Sequence, residues 1–326
     1  MTNDYYLSTS SNDLSFQKNI RSQQLDLSQN NLNNLFERFI TFIDATPNTV
    51  RTYRASLRQW FLYMRQHALY RPTPEDIRQY RSDLRDAGKK PTTINNYLIA
   101  VRRFFQWTEI EGLYPNVAKY IKGAKLSRNF KKDYLSSTQA KTILNNIDRR
   151  TLKGKRDYAM LAVMLTMGLR TIEIVRANIE DIHTKGNVTV LYVQGKGHDE
   201  KDDLVRMPGH VELAIRDYLS CRKSTDPDAP LFASLSNHNN GKHMTTRSIR
   251  RIVKTSFINA GFNSPRLTAH STRHTAATLS LLNGATLQQT QELLRHKNIQ
   301  TTEIYAHNLD ATKNPASSKV DDAIFD

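Results

Sequence analysis

Cysteine is nearly missing from this chain: Cys221 is the one thiol in 326 residues. That excludes an intramolecular disulfide and any cysteine-rich zinc site. Cys221 falls in AIRDYLSCRK, at helical spacing from Ile215 and Tyr218, which predicts a buried structural thiol rather than a catalytic one. Long apolar runs are missing too. No stretch approaches the roughly 20 residues needed to span a bilayer, and the amino terminus lacks the basic-then-apolar order of a signal peptide, so a cytoplasmic protein is expected. No phosphate-cradling glycine loop and no acidic or histidine cluster at ligand spacing occurs, so neither a nucleotide nor a metal is expected as cofactor. Acidic residues are in deficit, 31 Asp and Glu against 47 Lys and Arg, for a formal net charge of +16. Such an excess favours a polyanionic partner, because each phosphate neutralised releases condensed counterions. Nucleic acid is the first candidate, a membrane surface the second.

The length allows two domains of about 100 to 200 residues. Residues 1–30 are rich in Ser, Asn and Gln, a composition that buries too little to offset ordering. They are expected to form a mostly disordered tail, with a short helix around Leu25. Regular apolar spacing begins at Leu32, with Leu35, Phe36, Phe39, Ile40 and Ile43 on one helical face. Thr46-Pro47, Thr73-Pro74 and Lys90-Pro91 open three further helices. The result for residues 31–121 is a small helical domain with basic faces. Trp60, Phe61, Phe104, Phe105 and Trp107 have the spacing of a helix core rather than of a base-stacking platform. Arg51, Arg54, Arg58, Arg102 and Arg103 lie beside that core and are candidates for contact with nucleic-acid phosphates.

Residues 122–135 carry Lys122, Lys125, Arg128, Lys131 and Lys132 without apolar periodicity, as expected of an extended basic linker that can follow a phosphate backbone. A second domain, residues 136–308, starts at a helix cap, Ser136-Ser137-Thr138. DYAMLAVMLTM reads as a strongly apolar helix ending at Gly168. VTVLYV and DDLVRMP read as paired strands, joined by GKGHDEK with Lys196 at the tip. Five further helices follow. The expected class is mainly α with a small antiparallel β-sheet. Residues 309–326 are polar up to a short apolar patch of Val320, Ala323, Ile324 and Phe325, either a frayed end or a segment that docks on a neighbouring protomer.

Arg170, Lys196, His270, Arg273, His296 and Tyr305 together offer what phosphodiester cleavage by transesterification needs. A tyrosine is a nucleophile whose phenolate also leaves well in the return step. Arginine forks meet phosphate oxygens bidentately and stay charged. Lysine or histidine can deliver a proton to the leaving oxygen. Each of these residues alone more often serves structure. Their order and spacing carry the signal.

Arg170 after Gly-Leu, Lys196 inside a GKG hairpin, His270-x-x-Arg273-His274, His296 in LLRHKNIQTT and Tyr305 in IYAH resemble the tyrosine site-specific recombinases of the phage integrase family. The resemblance runs from about Leu32 to His307. It implies a two-domain, C-shaped clamp on DNA, with a helical SAM-like core-binding domain and a catalytic domain. By the same resemblance Tyr305 forms a 3′-phosphotyrosyl link, Arg170 and Arg273 hold the scissile phosphate, and Lys196 protonates the departing 5′ oxygen. His270 would assist proton transfer from Tyr305, His296 would hydrogen-bond the phosphate or orient the nucleophile, and Glu173 would brace the site. His274 would support the fold, and His307 has no assigned role. Two departures stand out: Arg295, where the family often has glycine, and the acidic GHDEKDD segment after Lys196, where many relatives continue with basic residues.

The implied activity is cleavage and rejoining of DNA strands by a tetramer on two double-stranded sites with inverted half-sites. It would integrate, excise or resolve DNA without ATP or metal, either as a homo-tetramer or with a related recombinase as partner. The protein would associate with a prokaryotic nucleoid or plasmid. The alternatives are a type IB topoisomerase-like relaxing enzyme and a non-catalytic architectural protein of the same fold.

Overall fold

The computed structural model describes residues 29–126, 133–195, 198–222, 226–313 and 315–325. The expectations for residues 1–28, Arg128, Lys131, Lys132 and Lys196 fall outside the described residues. The chain divides into two compact units, Met1–Arg128 and Asn129–Asp326.

The first unit is built from α1 (Gln29–Ile43), α2 (Pro47–Gln66), α3 (Pro74–Asp86) and α4 (Pro91–Ile110). Proline opens three of these helices, because its missing N–H is one that a helix start leaves unpaired anyway. At α3 the cap is reciprocal: Asp76 Oδ2 accepts from Thr73 N at 2.7 Å, while Asp76 N donates to Thr73 Oγ1 at 3.4 Å. Phe39, Trp60, Phe104, Phe105 and Trp107 are buried in the core, with Phe61 only partly so. Trp60 meets Tyr80 and Phe105 edge-on at 5.1 and 6.2 Å. The aromatic stripe therefore holds the helices together and offers no stacking platform to a base.

Beyond α4 the chain is fastened back onto its own unit. Asn95 receives Ala124 N at 2.7 Å and donates to Ala124 O at 3.0 Å, and Arg81 donates to Lys122 O at 2.6 Å. A Cβ at Gly123 would stand 2.5 Å from Asn95 Oδ1, so a larger residue there would push Asn95 off its bonds to Ala124. The first residues of the expected linker thus lie against α3 and α4.

In the second unit α5 (Ser137–Asn145) leads to α6 (Leu152–Thr166), the most buried helix of this unit. Two of its charged residues are enclosed as well: Arg156 pairs with Asp157 at 2.7 Å and donates to Ala233 O at 3.0 Å. Gly168 ends the segment with φ 61°, and a Cβ there would come within 2.8 Å of Leu294 Cδ2. Both the left-handed turn and the contact favour glycine. Next come α7 (Thr171–Arg176) and an antiparallel sheet in the order β1 (Ile182–Lys185), β2 (Val188–Val193), β3 (Asp203–Arg206). Leu191 pairs with Ile182 on one side and Val205 on the other. The strand β1 was not expected. It is four residues long, IHTK, and mostly exposed, so it carries no apolar alternation to read.

The remaining helices are α8 (Gly209–Ser220), α9 (Thr246–Asn259), α10 (Ala269–Leu282), α11 (Leu287–Leu294), α12 (Gln300–Lys313) and α13 (Ala316–Phe325). The protein is mainly helical with one small antiparallel sheet. Cys221 corrects an expectation: it is exposed, just past the end of α8, with Lys155 Nζ 3.2 Å from its sulfur. The apolar face of α8 runs through Val211, Ile215 and Tyr218. The helix stops before that face reaches the thiol.

Candidate active site

Four short segments of the second unit converge at the carboxyl end of α11. The last carbonyls of a helix have no partner within it and carry the negative end of the helix dipole. Three arginines take them here. Arg295 donates to Leu293 O at 2.7 Å, Arg273 donates to Leu294 O, and Arg170 Nη2 reaches Arg295 O at 3.5 Å. Arg273 also donates to Gly168 O at 2.6 Å, so the tight glycine turn aims a second carbonyl at the same guanidinium. Glu173, fully buried one turn into α7, accepts from Arg170 N and Nη1, each at 2.7 Å, and from Arg295 Nη2 at 2.7 Å. Two guanidiniums thus grip one carboxylate, and with Arg273 at the same helix end the cluster keeps an excess of positive charge suited to an anionic ligand.

Tyr305, on α12, is buried beside this cluster, packed with Ala277, Leu281 and Leu294. The His296 ring stacks parallel to it, 7° between planes and 6.4 Å between centroids, and His296 Nδ1 lies 2.9 Å from Thr302 Oγ1. The His274 ring lies 5.2 Å from that of Tyr305, and the His270 ring 4.6 Å from that of His274. Of the six expected catalytic residues, Arg170, Arg273, His296 and Tyr305 are brought together. His270 is exposed and packs edge-on against His274. Lys196 lies outside the described residues, between Gly195, whose carbonyl accepts from Arg176 at 3.2 Å, and His198. Glu173 lies in the same cluster, paired with Arg170. Sequence reasoning missed Arg295 as a member of the cluster and His274 as a direct neighbour of Tyr305. For Arg295 the only signal was its departure from the family's usual glycine.

Burial and charge set the protonation of these groups. Burial raises the Tyr305 hydroxyl above its ordinary value, against the opposing pull of Arg273 and Arg170. At neutral pH it is a phenol that must lose its proton in order to attack. Burial also opposes ionisation of Glu173, but Arg295 and Arg170 outweigh it and hold the carboxyl below its ordinary range. Burial, then Arg170 and Arg295, bring Arg273 down to about 9, still charged near neutrality. Burial and the positive charges of Arg273, Arg170, Arg295 and His270 push His296 down to about 4, so its imidazole is neutral.

That last shift has a measurable consequence. The folded-state value lies below the ordinary 6.5, so between about pH 6.5 and about pH 4 the unfolded chain binds a proton that folded His296 refuses. Stability is expected to fall as pH drops through that window, and denaturant midpoints at pH 7, 5.5 and 4.5 measure it. His296→Gln should flatten this slope; an unchanged slope would place the titration elsewhere.

The candidate phosphate-contact residues of the first unit are differently disposed. Arg51, Arg58, Lys122 and Lys125 are exposed. Arg54 is paired with Glu37 at 2.9 Å and lies over Phe36, Arg103 lies over Phe42, and Arg102 is half-buried. An exposed pair such as Arg54 with Glu37 is worth little and opens readily to a phosphate. His198, Asp202 and Asp203 gather at the start of β3, with Asp203 near enough for its charge to act on Arg295. His198 Nδ1 lies 2.9 Å from Asp202, an ordinary exposed ion pair when the ring is protonated. Among the described residues no helix is long and apolar enough to cross a membrane.

Comparison with known proteins accords with this constellation. Residues 133–312 match the sequence profile of the phage integrase family, and residues 35–112 match its N-terminal SAM-like domain. The chain is 30% identical over 282 residues to the tyrosine recombinase XerD of Yersinia pestis, covering 84% of this chain and 93% of the relative. It is 29% identical over 272 residues to the tyrosine recombinase XerC of Thermodesulfovibrio yellowstonii, covering 80% and 86%. The fold resembles that of the XerH site-specific recombinase solved on a palindromic difH substrate in a post-cleavage complex. The TM-score is 0.71, with 20% identity and 90% of this chain and 84% of that one covered. The chain belongs to the phage integrase family of tyrosine recombinases.

Proposed function

We propose that this protein cleaves and rejoins double-stranded DNA at specific sites, with Tyr305 as the nucleophile. Its phenolic oxygen attacks the scissile phosphorus, the bond to the 5′ oxygen breaks, and a 3′-phosphotyrosyl ester stores the phosphodiester energy for the return step. Arg170 and Arg273 hold the non-bridging oxygens as charge develops on them. Lys196 protonates the departing 5′ oxygen, His270 assists removal of the Tyr305 proton, and neutral His296 orients the phenol or contacts the phosphate. Glu173 braces Arg170. The observation that carries this reading is the enclosure of one tyrosine beside two guanidiniums and a neutral imidazole at a single helix end. The test is a suicide substrate, a nicked duplex whose cleaved strand diffuses away. A covalent protein–DNA adduct mapping to the peptide that contains Tyr305 is expected, and an adduct mapping to another residue would remove Tyr305 from the role.

The net charge of +16 and the exposed Arg51, Arg58, Lys122 and Lys125 support DNA as the partner. Pairing of a SAM-like unit with the catalytic unit supports recombination over simple relaxation. Assembly as a tetramer on two sites would use α13, whose Val320, Ile324 and Phe325 are 57%, 65% and 80% exposed, too apolar to be left in water without reason. Deleting residues from Lys319 onward is expected to weaken cooperative binding to a full site more than binding to one half-site in gel-shift titrations. Equal losses on both would count against trans-docking.

A further inference from the structure

Arg295 occupies a backbone position that suits it poorly. It stands just past α11 with φ 53° and ψ 49°, a left-handed conformation that costs a residue bearing a Cβ roughly 1–2 kcal/mol and glycine almost nothing. Two other non-glycine residues among those described have positive φ, Asp44 and Ala68, and both are exposed. The Arg295 side chain is 6% exposed. Its Nε is buried with no acceptor among the described residues. A glycine would make the same turn and still offer its carbonyl to Arg170, so the turn does not account for the side chain.

What the side chain does is join the two halves of the cluster. Arg170 and Glu173 form a local pair, three residues apart at the start of α7. His296 and Tyr305 belong to the segment that follows α11. Between the halves, the contact from Arg170 Nη2 to Arg295 O is long, 3.5 Å. The contact from Arg295 Nη2 to Glu173 Oε2 is 2.7 Å, joins residues 122 apart in sequence, and is made by two buried ionised groups. Such charge-assisted hydrogen bonds are short and strong. Glu173 Oε2 also receives Arg170 N, and Oε1 receives Arg170 Nη1, so the carboxylate is held on both sides. Without the Arg295 side chain the Arg170 fork, 28% exposed, would be tied to its own turn and, beyond it, only by the long contact to the carbonyl at 295.

We propose that Arg295 is a positioning residue for strand cleavage: through the shared Glu173 carboxylate it fixes the Arg170 fork relative to the segment that carries His296 and Tyr305. The inference rests on the transesterification by Tyr305 proposed above. Arg295 need not touch DNA. Its contribution is the placement of Arg170 when the phosphate arrives, where an error of about 1 Å can cost on the order of 100-fold in rate.

The experiment is single-turnover adduct formation on saturating suicide substrate, with DNA affinity and thermal unfolding followed in parallel, for wild type, R295G, R295K, E173Q and R295G/E173Q. R295G is expected to bind DNA as wild type does while forming adduct on the order of 10- to 100-fold more slowly. R295K, which keeps the charge but not the planar fork, should recover part of the rate. The double variant should be little slower than E173Q alone, because both substitutions break one connection. R295G at the wild-type rate would overturn the proposal, and so would losses that multiply in the double variant. If R295G fails to fold, R295K and an added R295K/E173Q variant decide: a folded R295K at the wild-type rate overturns the proposal, and a slowed R295K whose double variant is little slower than E173Q alone supports it. An absence of adduct in wild type would instead overturn the Tyr305 mechanism, and this inference with it.

Discussion

Tyr305→Phe is expected to bind DNA and form no covalent adduct. The substitution removes one oxygen and keeps the ring that packs against Ala277, Leu281 and Leu294 and stacks on His296. Loss of a hydroxyl hydrogen bond costs about 0.5–1.5 kcal/mol, more when a buried partner is left unpaired, which a domain of this size tolerates. The chemical effect is of another order, because without the phenolic oxygen no phosphotyrosyl bond can form. Removing the nucleophile of a covalent mechanism lowers turnover by about a millionfold in the best-studied protease, and the adduct assay reads such a loss as a blank lane. Denaturing gels of suicide-substrate reactions, beside gel shifts on the intact site, separate the two outcomes. An adduct in the phenylalanine variant would mean that another hydroxyl attacks. A variant that neither folds nor binds would mean that Tyr305 serves the core, as its burial alone suggests.

How much of this was legible in the sequence depended on whether a feature leaves a local trace. The helices of the first unit announce themselves by proline at their first turn and by Trp60, Phe104 and Phe105 at core spacing, and these are properties of neighbouring residues. The candidate set was legible as an order of residue types, and four of its five described members, Arg170, Arg273, His296 and Tyr305, meet at the end of α11. What had no trace was set by contacts distant in sequence. Strand β1 exists because β2 gives it a partner, and its own four residues alternate too little to show it. Cys221 was misplaced because periodicity predicts a face but not where the helix stops. The bridging role of Arg295 needs the left-handed turn at the end of α11 together with Glu173, 122 residues away, and neither is written near position 295.

Arg170→Ala and Arg273→Ala should both abolish most cleavage, and the structure predicts that they will differ in stability. Removing one preorganised donor to the developing charge costs about 100- to 1000-fold in rate, so adduct formation should fall by that much or more in each variant at saturating DNA. The Arg170 side chain is 28% exposed, and when it is removed the buried Glu173 keeps its pair with Arg295 at 2.7 Å. No charge is stranded, and the melting temperature should change little. Arg273 is 2% exposed and donates to the carbonyls of Gly168 and Leu294. Alanine there leaves two buried acceptors without their donor, each worth about 1–3 kcal/mol, and opens a void the size of a guanidinium beside Tyr305. Arg273→Ala should therefore melt well below wild type, whereas Arg170→Ala should not. The comparison also separates the roles of the two arginines, because Arg273→Lys should restore stability only in part: an ammonium has no fork with which to reach both carbonyls. Thermal unfolding of the three variants beside wild type tests this ordering, and an Arg170→Ala protein that melts as low as Arg273→Ala would show that Arg295 does not compensate Glu173.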